Sequence, residues 1–119
     1  MAAAMSSKMP LIVTKMYDYL LYLIPQVSKF PRAQRFQIGE RLENLSYDVL
    51  ELLLDATYSR NKAPILYQAN VKLAKARYFV RLCKDLKLIN LKKYEILTKQ
   101  INEIGIQLGG WIKQQKNRS

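Results

Sequence analysis

The chain has 119 residues, a net charge of +11 and no histidine. Its length predicts one domain with a hydrophobic core of its own. Without histidine it cannot form a Ser-His or Cys-His dyad, a histidine-containing zinc site or the Glu-x-x-His ligand set of a di-iron bundle. The single cysteine, Cys83, excludes an internal disulfide and is typical of a small buried side chain in a reducing compartment.

Segments that would target the chain to a membrane are also missing from the sequence. The apolar runs are far shorter than the roughly 20 residues of a membrane span, and residues 1–10 offer Ala and Ser where a signal peptide needs an apolar stretch. We therefore expect a cytoplasmic protein that makes no membrane contact. We also expect a disordered N-terminal segment over 1–9, a single domain over 10–116 and a C-terminal tail over 117–119.

Prolines divide the chain into long periodic runs. Pro10, Pro31 and Pro64 each precede such a run, and proline is tolerated in the first helical turn because its missing N–H would have no partner there. The first run predicts a helix from Leu11 to about Ser28, which Pro25 should kink or open. Its predicted inward residues are Ile12, Met16, Tyr19, Leu23 and Val27.

The second run lies between Pro31 and Arg60, and its apolar residues recur at steps of three and four. The pattern predicts a helix with one continuous buried face formed by Ile38, Leu42, Leu45, Val49, Leu52 and Ala56. The same helix carries the carboxylates Glu40, Glu43, Asp48, Glu51 and Asp55. They indicate an acidic ridge that faces solvent or another subunit, since a two-metal site would need them to converge in a cleft.

The run after Pro64 carries two apolar stripes. One is formed by Leu66, Ala69, Leu73, Ala76, Val80 and Cys83. The other is formed by Val71, Tyr78, Leu82 and Leu86. Two stripes predict a third helix that is packed on two sides.

A fourth helix is predicted to begin after Asn90, a suitable N-cap, with Tyr94, Leu97, Ile101, Ile104, Leu108 and Trp111 facing inward. Glycines inside this helix should have a steric reason, because each costs about 1 kcal/mol there. Gly105 and Gly109 lie four residues apart on one face, next to Gly110 and Trp111. We expect either tight packing within the bundle or a contact between subunits.

The four predicted helices are joined by short turns around Phe30, 61–63 and 88–90. Short connections between amphipathic helices favour antiparallel neighbours. The sequence therefore predicts an all-α fold, an up-down-up-down antiparallel four-helix bundle.

The surplus positive charge lies entirely in the second half of the chain. Residues 1–55 carry equal numbers of basic and acidic side chains, whereas residues 56–119 carry fourteen Lys or Arg against Asp85, Glu95 and Glu103. Such an asymmetry is typical of a protein with a polyanionic partner. Helical spacing places Arg77, Arg81 and Lys84 on one face. The other basic residues assigned to this candidate binding surface are Lys72, Lys75, Lys87, Lys92, Lys93, Arg60 and Lys62.

Aromatic residues, namely Tyr67, Tyr78, Phe79 and Tyr94, are interleaved with these cations. An exposed ring at such a position can stack on an unpaired base. We nevertheless expect Tyr78 and Phe79 to be core residues, the usual place for large rings. The basic face predicts contact with nucleic acid or with an acidic protein surface.

Several short segments of the chain are informative when they are taken together. They read Ala69-Asn70-Val71-Lys72-Leu73-Ala74, Arg77-Tyr78-Phe79-Val80-Arg81-Leu82, Tyr94, Glu103-Ile104-Gly105, Leu108-Gly109-Gly110-Trp111-Ile112 and the stretch from Pro31 to Gly39. From about Pro10 to Lys113 the chain thereby resembles the Avd-like accessory variability proteins of diversity-generating retroelements. The related bundles encoded in intervening sequences of 23S ribosomal RNA genes share the architecture. Their usual Asn-Ile-Ala-Glu-Gly run, however, has no counterpart in Leu52-Leu53-Leu54-Asp55-Ala56.

The resemblance implies a non-enzymatic protomer that assembles into a homopentameric ring and binds the element's reverse transcriptase. It also implies binding of the template RNA and cDNA through basic surfaces during mutagenic retrohoming, in which the cDNA replaces a variable gene region. The family's paired arginines fall on Arg77 and Arg81, the pair that spacing also singles out. No cofactor or metal ion is expected. Two alternatives stay open: a general RNA-binding or ribosome-associated bundle, and a structural ring whose basic face meets an acidic protein.

Overall fold

The computed structural model describes residues 9–118, which form four helices. The predictions for residues 1–8 and Ser119 lie outside the described residues. Helix α2 is a continuous helical stretch with three parts: a short turn (Arg32–Gln34), a π-helical segment (Arg35–Gly39) and a long α-helix (Glu40–Tyr58). The other helices are α1 (Leu11–Ser28), α3 (Ala63–Asp85) and α4 (Leu91–Arg118).

All four helices pack in a compact bundle. Each contacts its neighbours in the chain, and α1 also packs on α4. Between α2 and α3, Asp48 pairs with Lys72 while Arg41 lies over Phe79. Residue numbers thus fall on one helix as they rise on the other, which is the signature of antiparallel neighbours. The predicted all-α four-helix bundle is confirmed, and no helix among residues 9–118 is long and apolar enough to cross a membrane.

Three helices begin at the prolines, as predicted. Helix α1 begins directly after Pro10 and runs through Pro25 to Ser28, and α2 begins directly after Pro31. In α3, Pro64 occupies the first turn. Helix α4 continues to Arg118.

The inward faces predicted for three helices are correct. The predicted inward residues of α1, the first stripe of α3 and the middle of α4 are buried. Tyr94 and Trp111, at the two ends of the predicted α4 face, are half-buried and pack against this core. A period of 3.6 residues thus identified the face that each of these helices turns inward.

Helix α2 differs from its prediction by a small rotation. Its buried line is Leu42, Ser46, Val49, Leu53 and Ala56, whereas the predicted Ile38, Leu45 and Leu52 are half-buried at its border. Ser46 is accommodated in the core because its hydroxyl donates to the Leu42 carbonyl at 2.8 Å and lies 3.0 Å from the Tyr19 hydroxyl. Burial raises the pKa of Tyr19, so this hydroxyl stays protonated.

The second apolar stripe of α3 faces solvent within one protomer. Val71, Tyr78, Leu82 and Leu86 are all exposed, and Tyr78 retains 70% of its accessible surface. Helix α3 packs against two helices, α2 and α4, as predicted, but the residues of this stripe do not make those contacts. The periodicity correctly found an apolar face, but no helix among residues 9–118 covers it.

Gly39 lies at a close approach of α1 and α2. A Cβ atom at this position would lie 2.5 Å from Cγ1 of the buried Val27 and 3.4 Å from a ring carbon of Phe30. Real Cβ atoms do not approach so closely, so the packing of the two helices depends on the missing side chain.

We predict that Gly39→Ala lowers the free energy of unfolding by about 1–3 kcal/mol, because the added methyl group overpacks the core against Val27. Gly110→Ala is the matched control, since no atom lies within 4 Å of the added group. This change should raise stability by about 1 kcal/mol through helix propensity alone. Urea denaturation measures both, and a Gly39→Ala variant as stable as the wild-type protein would contradict the packing account.

The turn between α3 and α4 is held at both ends. Lys87 has a φ of 62°, and the Leu88 N–H donates to the Cys83 carbonyl at 2.8 Å, which closes the C-terminus of α3. The Asn90 side chain accepts a 2.8 Å hydrogen bond from the Lys93 N–H. The predicted N-cap is therefore confirmed.

We predict that Lys87→Gly raises the free energy of unfolding by about 1 kcal/mol, because glycine adopts positive φ without the steric cost of a side chain. Lys99→Gly removes the same charge from an exposed position in the interior of α4 and should lower stability by about 1 kcal/mol. Thermal or urea unfolding compares the two. If Lys87→Gly were the more destabilising, the role given to the turn would be wrong.

Candidate nucleic-acid interface

A groove between α3 and α4 brings two arginines together with aromatic and polar side chains. It has a volume of about 400 Å³ and is lined by Arg77, Tyr78, Arg81, Tyr94, Thr98 and Asn102. Arg77 and Arg81 come from successive turns of α3, so their guanidinium groups project to the same side. The structure thus brings the predicted arginine pair into one concave site.

Gly105 gives Arg77 the space to lie over α4. A Cβ atom at Gly105 would lie 3.2 Å from Nη2 of Arg77 and 3.8 Å from Leu73. The Arg77 side chain is half-buried as a result. The guanidinium is held close to the helix surface instead of extending freely into water.

The other two glycines of α4 meet no neighbour in the protomer. No atom lies within 4 Å of a Cβ built at Gly109 or Gly110. Tight packing inside the bundle therefore does not explain them, and a contact with another subunit stays a prediction. Trp111 and Gly110 line an adjacent groove of about 470 Å³, together with the exposed Leu11 and Ile106.

The remaining cation of the predicted face, Lys84, covers a ring at the edge of the groove. Its Nζ lies 4.6 Å from the centroid of Tyr94, at cation–π distance. Asp85 lies 3.4 Å from Lys84 and 3.9 Å from Arg81. Both pairs are exposed to solvent and add little to stability, and Asp85 offsets one unit of the local positive charge.

Tyr78 is not a core residue, contrary to the sequence-based expectation. It is exposed on the wall of the groove, because its position on α3 points away from the bundle centre. Phe79, one residue further, is half-buried against the core with the Arg41 guanidinium 5.9 Å from its ring centre. The ring of Tyr67, three turns earlier on α3, is also exposed.

The other basic residues of the predicted surface do not lie on the same face. Lys72 forms a 2.8 Å ion pair with Asp48 toward α2, and Lys75 is exposed on the outside of α3. Lys87 and Lys92 are exposed and Lys93 is half-buried at the α3–α4 turn. Arg60 and Lys62 lie at the opposite end of the bundle.

Lys62 serves the C-terminus of α2. Its ammonium donates to the carbonyl oxygens of Ala56 and Ser59 at 2.7 Å and of Thr57 at 3.3 Å. The carbonyls of Ala56 and Thr57 belong to the last turn of α2, which carries the negative end of the helix dipole, and Ala56 also accepts a 3.4 Å hydrogen bond from the Ser59 N–H. The contacts give Lys62 a structural role in closing α2.

A second basic cluster was missed from the sequence. The guanidinium groups of Arg32 and Arg35 each lie 6.0 Å from the centre of the exposed Phe36 ring. They occupy the beginning of α2, at the same end of the bundle as the α3–α4 turn. The net charge of residues 1–55 did not reveal this cluster, because carboxylates further along α2 balance the arginines in the sum. The i,i+3 spacing of two arginines beside an aromatic residue was the available signal.

Thr98 and Asn102 were also missed from the sequence. They line the groove from α4, one helical turn apart. The apolar period of α4 does not single out these two residues. Their place in the groove depends on how α4 packs against α3.

The predicted acidic ridge lies along α2. Asp48, Glu51 and Asp55 border a shallow groove of about 200 Å³ that Lys72 also lines. The Asp48–Lys72 pair ties one end of this ridge to α3. Across residues 9–118, no three His, Cys, Asp or Glu side chains form a group suited to a metal ion.

A family model described as bAvd-like matches residues 10–115 of the chain. The matched range contains α1, α2, α3 and nearly all of α4. Comparison with curated proteins gave no match.

We predict that Lys62→Met lowers the free energy of unfolding by about 1–2 kcal/mol, because the terminal carbonyls of α2 lose a charged donor. Lys75→Met is the matched control and should change stability by less than about 0.5 kcal/mol, as is usual for exposed positions. Denaturant unfolding measures both variants. Equal stability of the two would contradict a capping role for Lys62.

Proposed function

Because the chain belongs to the bAvd-like family, we propose that it binds the reverse transcriptase of a diversity-generating retroelement, and the template RNA and cDNA, through its basic surface. Family membership itself implies a generally non-catalytic accessory role in such an element, with the reverse transcriptase as partner. Beyond this role, we assign the binding to the basic surface and propose that it serves mutagenic retrohoming.

The observation that carries the proposal is the convergence of Arg77 and Arg81 in the α3–α4 groove. Guanidinium groups bind phosphate and carboxylate through paired hydrogen bonds, and they remain charged at all physiological pH values. A groove with two such groups suits a phosphodiester backbone or an acidic segment of the polymerase. Phosphate contacts of this kind position a nucleic acid without reading its sequence.

Further cations extend the basic surface beyond the groove. Lys84 borders it, and Lys87, Lys92 and Lys93 follow at the α3–α4 turn. The cluster of Arg32, Arg35 and Phe36 lies at the same end of the bundle. Positive charge gathered at one end attracts a polyanion over several ångströms and raises its rate of association.

We also propose that the protomers form a homopentameric ring. Exposed apolar patches on a protein surface mark interaction sites, and the outer stripe of α3 with Val71, Leu82 and Leu86 is such a patch. The open face at Gly109 and Gly110 is a second surface suited to a close contact. In a head-to-tail contact, the ridge of Asp48, Glu51 and Asp55 would meet basic residues of the next subunit, and such contacts close when the rotation allows.

A ring increases the strength of individually weak phosphate contacts. Each groove is repeated around the axis, so a strand bound at one site reaches the next at a high effective concentration. Each phosphate neutralised on a single strand adds about 0.7 to the slope of log affinity against log salt. Binding by the ring should therefore weaken steeply as salt rises.

We predict that the protein co-elutes with the reverse transcriptase of the same element when the two are co-expressed, and that Arg77→Glu with Arg81→Glu abolishes the complex. Tagged purification with nuclease and a high-salt wash separates direct protein contact from bridging by nucleic acid. Lys99→Glu with Lys113→Glu is the control, because it makes the same change in charge at exposed positions of α4 outside the groove.

Co-elution of the double arginine variant at the level of the wild-type protein would show that the groove is not part of the interface with the polymerase. Failure of the wild-type protein to co-elute would contradict polymerase binding. A monomeric mass under native conditions would separately contradict the ring.

A further inference from the structure

We infer that the α3–α4 groove holds an unpaired nucleotide, with its phosphate on Arg77 and Arg81 and its base stacked on the ring of Tyr78. The inference rests on the proposed function and specifies the form of nucleic acid that the site takes. It makes the protein a binder of single strands in preference to duplexes.

The position and exposure of Tyr78 are the first reason. The residue lines the same groove as the two arginines and retains 70% of its accessible surface. The ring of Tyr94, on the opposite wall, is already covered on one side by the Lys84 ammonium at 4.6 Å. Tyr78 is thus the ring whose surface is available, and base–aromatic stacking is tolerant of sequence because every base has a π-face.

The dimensions of the groove are the second reason. A volume of about 400 Å³ is enough for one nucleotide but not for a segment of double helix. In a duplex the bases are stacked on each other and cannot enter a recess of this size, whereas an unpaired base can be turned outward. Duplex binding would be limited to phosphate contacts at the rim.

The chemistry of the opposite wall is the third reason. Thr98 and the exposed Asn102 add a hydroxyl and an amide from α4. Both groups donate and accept hydrogen bonds, so they can meet the edge of any of the bases. An anionic peptide would pair with the arginines but would gain little binding free energy from the exposed ring and the amide.

The test compares the affinity of four labelled oligonucleotides by fluorescence anisotropy. They are a single-stranded RNA, a single-stranded DNA, a duplex with the same number of phosphates, and a single strand of the same length whose central bases are abasic. The variants are Tyr78→Leu and Tyr78→Phe. Tyr58→Leu is the matched control, since Tyr58 is 76% exposed and lies at the opposite end of the bundle.

We expect Tyr78→Leu to weaken single-strand binding about five-fold or more, as the loss of one base–aromatic stack does. Its duplex affinity and its slope of log affinity against log salt should stay unchanged, because no cation is removed. Tyr78→Phe should retain wild-type affinity, and the abasic strand should bind the wild-type protein as weakly as the normal strand binds Tyr78→Leu.

Equal binding of abasic and normal strands by the wild-type protein would overturn the inference. So would loss of single-strand and duplex affinity in equal measure in Tyr78→Leu, or an equal effect of Tyr58→Leu. Co-elution with the reverse transcriptase is measured on the same variants and on Arg77→Glu with Arg81→Glu. If the polymerase complex depends on the arginine pair while the abasic strand binds normally, the inference fails and the proposed function stands. If the strands bind as expected but the wild-type protein does not bind the polymerase, the inference stands and only the proposed polymerase binding is contradicted.

Discussion

The candidate site depends on the close packing of α3 against α4 at Gly105. The missing side chain there leaves room for Arg77, whose Nη2 would lie 3.2 Å from a Cβ at that position. Arg81 follows one turn later and faces the same groove. A side chain at Gly105 would require the Arg77 guanidinium to shift from this position. One steric gap therefore links the packing of the bundle to the placement of its most concentrated positive charge.

Helix α3 separates three chemically different surfaces. Its inner face fills the core, its α4 side carries the arginine pair, and its α2 side carries Lys72 bound to Asp48. The outer face between these sides is apolar and exposed, with Val71 and Leu82 among its residues. Such an arrangement lets one helix contribute to folding, to binding a polyanion and to contact between subunits through largely different residues, with Tyr78 at the border between the outer face and the groove.

The sequence predicted the parts of the structure that depend on one helix at a time. The buried faces of α1, α3 and α4 followed from their apolar period, and Asn90 followed from capping chemistry. Helix α2 was misplaced because Ser46 is a polar residue in the core, satisfied by a Tyr19 hydroxyl from another helix. The exposure of Tyr78 and the groove depend on how two helices meet, which periodicity within one helix does not encode.

The central claim is that the partner binds at the arginine pair of the α3–α4 groove. Footprinting with an arginine-specific reagent, read by mass spectrometry, tests it on the unmodified protein alone and in complex with its reverse transcriptase and template RNA. The account predicts that Arg77 and Arg81 become protected in the complex, whereas Arg60 at the opposite end of the bundle reacts at its free rate. Equal reaction of Arg77 and Arg81 in the free protein and in the complex would contradict it.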